Sequence, residues 1–205
     1  QITLDVNLLA AGQPYMAVGA YKISDDSQLL AYTIDPTGYR QYSLHLKNLN
    51  TGETRALGVE RVTSLEWAAN HQALFFTQED AVSKRSYRLG RLELKSGTVT
   101  WLYEEKDELF DLGLSRSREG AWLFATSESK TTTEIRALPA ATPDLDWRII
   151  AARRNDIETR ADYRDGLFYF RTNDHAKNFR IVTAPVATPD PTHWVDYVSH
   201  QAAVK

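Results

Sequence analysis

The sequence predicts an all-β fold, a partial β-propeller of about four blades, each a four-stranded antiparallel sheet. Three observations carry that expectation. A pattern of strand, turn and strand followed by a third alternating strand recurs four times, with copies starting near Ala20, Ser64, Asp111 and Arg160; the period of about 45 residues is that of propeller blades. Within each copy a polar turn (SDDSQ, AANHQ, SREG, RDG) separates short apolar runs rich in Leu, Phe, Tyr and Trp, as in hairpins. Helical periodicity is thin, confined to a short stretch around LDVNLLAAG and an ambiguous AARRNDIETR between the third and fourth copies.

Taken in order, the approximate blades are 18–60, 61–109, 110–155 and 156–200, within one domain over 1–205. In the first, AYKISDDSQLLAYTID forms the leading hairpin. YSLHLKNL follows with Leu44 and Leu46 on one face and Ser43 and His45 on the other. The second begins SLEWAANHQALFFTQE and closes on TVTWLY, where Val99, Trp101 and Tyr103 alternate with Thr100 and Leu102. NTGE at Asn50 to Glu53 and KSGT at Lys95 to Thr98 put glycine where an outer hairpin needs a positive φ. The third copy reads DLGLSRSREGAWLFATSE then TEIRALPAATPDLDWRIIA; the fourth reads RADYRDGLFYFRTND then NFRIVTAPVATPDPTHWVDYV. An aromatic share of 11% suits blades that bury both faces against their neighbours.

Composition excludes several kinds of chemistry. A hydrophobic content of 42% over 205 residues is that of a folded protein. The 24 basic and 27 acidic residues give a formal net charge of -3, which offers no electrostatic footprint for nucleic acid or an anionic membrane. No cysteine occurs, which removes disulfides, thiolate nucleophiles and cysteine metal sites and fits a reducing, cytoplasmic setting. No apolar run approaches the roughly 20 residues that cross a bilayer, and the N-terminus lacks signal-peptide architecture. The chain starts at Gln1 and stops at SHQAAVK without a turn or capping signal, so it is expected to be a piece of a longer protein.

Catalytic motifs are equally scarce. A G-x-S-x-G elbow, which exposes a strained nucleophile, does not occur; the nearest segment, GLSRS at Gly113 to Ser117, reads as a place where a blade strand turns, with Ser115 in the turn. The five histidines are scattered without ligand spacing, and no phosphate-binding glycine loop is present. Neither metal nor cofactor is therefore expected. The acidic run YEEKDE, Tyr103 to Glu108, reads as a solvated loop between blades rather than paired catalytic carboxylates. The most charged stretch is RTNDHAKNFR, Arg171 to Arg180. It lies between the strand GLFYF and the strand RIVTAPV, which makes it an inter-strand loop of one blade. Asn173, Asp174 and Asn178 suit tight turns, while His175 and Lys177 are expected to face solvent or a neighbouring layer.

RTNDHAKNFRIVTAP, YEEKDELFDLGLSRS, TTTEIRALPA and the opening LDVNLLAAGQPYMAVGAYKISDDSQLLAY, taken in order with their spacing, resemble the N-terminal propeller of the oligopeptidase B branch of the prolyl oligopeptidase family of serine peptidases. The resemblance runs from about Leu4 to Tyr197. It implies a seven-bladed parent ring capping an α/β-hydrolase domain that carries a Ser-His-Asp triad and cleaves short peptides after Arg or Lys. This chain holds only part of that cap, so no triad residue transfers to it and it is expected to be inactive alone. Where family members usually show Thr-Ser-Glu this chain has Thr132, Thr133 and Glu134. Glu134, with Arg171, Asn173, Lys177, Asn178 and Arg180, forms the candidate interdomain or substrate-gating set. The expected partners are the missing C-terminal hydrolase domain of the same polypeptide and short basic peptides as parent substrate. Self-association through open blade edges is also expected. The competing reading is a stand-alone propeller-type interaction module; a G-x-S-x-G segment further along the reading frame would decide against it.

Overall fold

The computed structural model describes residues 3–203. Period-two alternation becomes four antiparallel meanders, and among the described residues every sheet has four strands in sequence order. The first holds β1 (Ala17–Ile23), β2 (Leu29–Asp35), β3 (Ser43–Asn48) and β4 (Thr54–Ala56). The second holds β5 (Val62–Trp67), β6 (Ala73–Glu79), β7 (Ser86–Glu93) and β8 (Val99–Glu104). The third comprises β9 (Asp111–Arg116), β10 (Trp122–Glu128), β11 (Thr133–Pro139) and β12 (Arg148–Ala151). The fourth comprises β13 (Thr159–Arg164), β14 (Leu167–Thr172), β15 (Arg180–Pro185) and β16 (Val195–Val198). This is the all-β partial propeller that the repeat predicts. The sheets group into two compact units, Gln1–Lys106 and Asp107–Lys205.

In the first unit, Leu44 and Leu46 of β3 are buried while the alternating Ser43 and His45 are partly exposed, so the alternation sets the face. That face joins Leu65, Trp67, Leu74 and Phe76 of the second sheet in one apolar cluster. Polar groups close the same seam: Trp67 donates its indole N–H to the Lys22 carbonyl at 2.9 Å, and Lys22 pairs with Glu66 at 2.6 Å. His71 reaches from the β5–β6 turn to the β1–β2 turn, with Nδ1 3.2 Å from an Asp26 carboxylate oxygen. Gly52 and Gly97 take φ of 78° and 71° in the outer hairpins, as the turn chemistry requires. Gly90 serves packing instead: a Cβ there would meet the Phe76 ring at 2.5 Å and Trp101 at 2.9 Å.

In the second unit, Phe124, Ile135 and Ile150 of the third sheet pack with Phe168, Phe170 and Val182 of the fourth. Trp122 sits edge-on to Phe168 at 4.9 Å, and Trp194, following a short 3₁₀ turn at Pro191–His193, stacks on Phe170 at 5.1 Å.

Two sequence expectations, for Ser115 and YEEKDE, need correction, and the two stretches of thin helical signal resolve differently. Ser115 lies within β9, exposed and opposite Phe124, not in a turn; the turn falls at Ser117 to Gly120, where Gly120 takes φ 78°. AARRNDIETR is not helical: β12 ends at Ala151 and β13 begins at Thr159. Asp156 between them takes φ 60° and donates its N–H to Thr132 Oγ1 at 2.9 Å. LDVNLLAAG yields one short helix, α1 (Val6–Ala10), capped by the Asp5 carboxylate. YEEKDE is only partly solvated, because Glu105 is 3% exposed and accepts the Tyr103 hydroxyl at 2.9 Å.

Candidate functional site

RTNDHAKNFR spans the end of β14, a loop over 173–179 and the start of β15, as the flanking apolar strands predict. One of its charges, on Asp174, is buried, while Arg171, His175 and Lys177 are exposed. Thr172 is fully buried at the end of β14 and its Oγ1 meets Thr159 Oγ1 at 3.1 Å. Asn173 then clips the loop to the β12–β13 connection: Oδ1 accepts the Glu158 N–H at 2.8 Å and Nδ2 donates to the Asp156 carbonyl at 2.9 Å. A side-chain amide can satisfy a donor and an acceptor of a neighbouring strand at once, which is why asparagine fits here.

Asp174 is the centre of the loop. Only 6% exposed, its carboxylate accepts both Arg154 guanidinium nitrogens, at 3.1 Å and 3.0 Å, in a two-pronged pair. Arg180 Nη2 lies 3.9 Å away and turns its Nη1 to Asp196 at 2.9 Å. His175 and Phe179 take φ of 51° and 63°, a left-handed bend at each end of the loop tip, and Phe179 donates its N–H to the Ala176 carbonyl at 2.7 Å. The Arg171 guanidinium stacks 3.8 Å over the Phe179 ring. Asn178 Nδ2 donates to the carbonyls of Gln201 and Ala202 at 3.0 Å and 3.1 Å. Lys177 and His175 stand exposed.

Glu134 belongs to an adjacent cluster. Its side chain forms an ion pair with Arg136 at 2.7 Å and lies 3.9 Å from Arg153 Nη2. Arg153 also reaches Asp107 at 3.5 Å and covers the Phe110 ring at 3.7 Å. The two clusters meet through consecutive residues, since Arg153 serves Glu134 and Arg154 serves Asp174. Asn173, Lys177 and Asn178 thus lie on the loop, flanked by Arg171 in β14 and Arg180 at the start of β15, while Glu134 of β11 connects to it only through the neighbours Arg153 and Arg154. Sequence reading missed Arg153, Arg154 and the burial of Asp174; the adjacent arginines in AARRND were the available signal, but their partners lie 19 to 20 positions away or more, beyond the reach of any local pattern.

Four meander sheets with polar loops tied down by internal ion pairs define a β-propeller domain, organised by packing and bracing. The whole chain, residues 1–205, matches the family model described as prolyl oligopeptidase, N-terminal beta-propeller domain. The chain belongs to the prolyl oligopeptidase family, as part of its N-terminal propeller. It is 38% identical over 208 residues to the dipeptidyl aminopeptidase BI of Pseudoxanthomonas mexicana, covering 98% of this chain and 28% of that protein. It is 31% identical over 191 residues to Protease 2 of Moraxella lacunata, covering 91% and 28%. Among solved structures, oligopeptidase B from Leishmania major matches with a TM-score of 0.86 at 22% identity, over 97% of this chain and 29% of that one. Oligopeptidase B from Trypanosoma brucei matches with 0.84 at 25%, over 98% and 29%. The chain thus spans under a third of the length of these relatives.

Proposed function

We propose that this chain is the gating propeller of an oligopeptidase B-like serine peptidase: it covers a catalytic centre held elsewhere in the polypeptide and admits short, unfolded peptides, which are cut after Arg or Lys. The observation that carries the reading is the match of all 205 residues to the N-terminal propeller of this peptidase family. The name of Protease 2, a relative 31% identical to this chain, supports a peptidase parent. The internal bracing of the loop supports a steric role, because Glu134, Asn173 and Asp174 hold backbone and neighbouring side chains rather than a reacting group. Lys177, exposed on the loop, is the residue offered to the catalytic portion or to substrate. Enclosure acts physically in two ways: a folded substrate cannot present a scissile bond inside a covered cavity, and the closed site excludes bulk water. The cysteine-free composition supports a cytoplasmic setting as part of the same proposal.

The 38% identity to a dipeptidyl aminopeptidase favours a second reading, in which the parent enzyme removes dipeptides from a free N-terminus. One assay separates them. The full-length protein is given an arginyl substrate with a blocked N-terminus and a dipeptidyl substrate with a free one. The endopeptidase reading expects turnover of the blocked substrate; turnover confined to the free dipeptidyl substrate establishes the second.

A further inference from the structure

We propose that Glu79, Arg61 and Lys84 form a proton-operated latch at the base of the β6–β7 loop, open when the Glu79 carboxyl is protonated and closed when it is ionised. The latch belongs to this chain and does not depend on which substrate the parent enzyme cuts.

Glu79 ends β6 and is 8% exposed. Its Oε1 is buried and accepts no hydrogen bond, and Lys84 Nζ stands 3.9 Å from it, too far to donate. A matching donor is close by. Arg61, the residue before β5, accepts the Glu79 N–H on its carbonyl at 2.9 Å, and its own Nε is buried without an acceptor. A buried acceptor and a buried donor of opposite charge, tied together by one backbone bond, are the two halves of an ion pair that the structure leaves unmade. Leaving such groups unpaired is costly in a native fold, and the neutral carboxyl is the form that bears it at least cost. Both cations sit on left-handed backbone, φ 58° at Arg61 and 62° at Lys84, a strained conformation of the kind that collects at switches.

The loop over 80–85 is built by Asp80. Its carboxylate accepts the N–H groups of Val82 and Ser83 at 2.9 Å and 2.8 Å, and the Lys84 N–H closes on the Asp80 carbonyl at 3.2 Å. The two adjacent carboxyls respond to acid differently. Hydrogen bonds from Ser83 and Val82 hold Asp80 below its ordinary value. Burial pushes Glu79 above its own, with Lys84 and Arg61 opposing the rise and Asp80 adding to it. Acidification therefore neutralises Glu79 first, while the bonds that shape the loop stay in place. As pH rises, the ionised Glu79 attracts the Lys84 ammonium and the Arg61 guanidinium to hydrogen-bond distance, and Lys84 draws the loop onto the end of β6.

The test uses the full-length protein, labelled briefly with acetic anhydride across roughly pH 4.5–8. Mass spectrometry reads the acetylation of Lys84 against an added lysine peptide in the same tube. The ratio is expected to fall severalfold as pH rises through the Glu79 titration, and to stay at its acid level throughout in Glu79→Gln. Amide exchange over residues 81–85, corrected for its intrinsic pH dependence, should slow in step in the wild type alone. A flat Lys84 ratio in the wild type, a fall that persists in Glu79→Gln, or amide exchange indifferent to pH would each overturn the latch.

Discussion

Two loops hold equivalent positions, each between the second and third strands of its sheet, and each keeps an aspartate out of water by different means. At the loop over 36–42, Asp35, the last residue of β2, is 1% exposed and accepts the N–H groups of Thr37, Gly38 and Arg40 at 2.8, 3.2 and 2.7 Å, plus the Thr37 hydroxyl at 2.6 Å. Everything it needs lies within five residues. In the loop over 173–179, Asp174 relies instead on Arg154, twenty positions earlier and outside its own sheet. A carboxylate closed by its own loop forms as soon as the chain turns. One closed by a distant guanidinium forms only when the connection between two sheets is in place, so it couples those sheets.

The largest expected effect falls on the self-contained loop. Asp35→Ala leaves three backbone donors without their acceptor, for a loss of about 2–3 kcal/mol, read as the shift of the urea midpoint of the full-length protein. The same variant tests the pH dependence. Burial pushes the Asp35 carboxyl up, but the hydrogen bonds from Thr37, Arg40 and Gly38 outweigh it and hold the group below its ordinary value. Its contribution is therefore complete above the unfolded value near roughly pH 3.9 and is lost as pH falls through the lower folded value. Wild type should lose stability more steeply than Asp35→Ala in that acid range.

Asp174→Asn keeps the shape of the second loop and removes its charge. With Arg154 partly exposed, the cost is expected at about 1–2 kcal/mol. Coupling to Arg154→Met should reach about 1 kcal/mol in a double-mutant cycle; additive losses would show that the two side chains are neighbours without an energetic bond. Glu79 sharpens the comparison from the opposite sign. It is 8% exposed, and burial raises its carboxyl above the ordinary range, with Lys84 and Arg61 only partly offsetting this. A raised folded value means the contribution is present below the unfolded value and disappears as pH rises through the folded one. Glu79→Gln should therefore gain up to about 1 kcal/mol at neutral pH and nothing in acid. Smallest is the Arg171 stack on Phe179: Arg171→Met should cost about 0.5–1 kcal/mol, and Lys177→Ala nothing measurable by the same midpoint.

What the sequence made legible follows the same division. The faces of β3, the glycines at 52 and 97, and the place of RTNDHAKNFR between two strands are set by neighbours within a few residues and read correctly, whereas in β8 Trp101 and Leu102 are both exposed and the expected alternation is not seen in burial. Arg153 at Glu134, Arg154 at Asp174 and the burial of Glu105 depend on which strands come together, so no local window contains them. AARRNDIETR reads ambiguously for that reason: its side chains suit a helix, but both arginines and Asp156 are drawn to partners in other segments. Ser115 was misplaced because GLSRS abuts the turn at Ser117 and its register is fixed only by pairing with Phe124.

The central claim is that this propeller excludes and does not cut. The most direct measurement compares kcat/KM of the full-length enzyme on one arginyl sequence, presented first as a short free peptide and then inside a stably folded domain. The account predicts efficient hydrolysis of the free peptide and no cleavage of the folded domain above background. Comparable cleavage of both would contradict it.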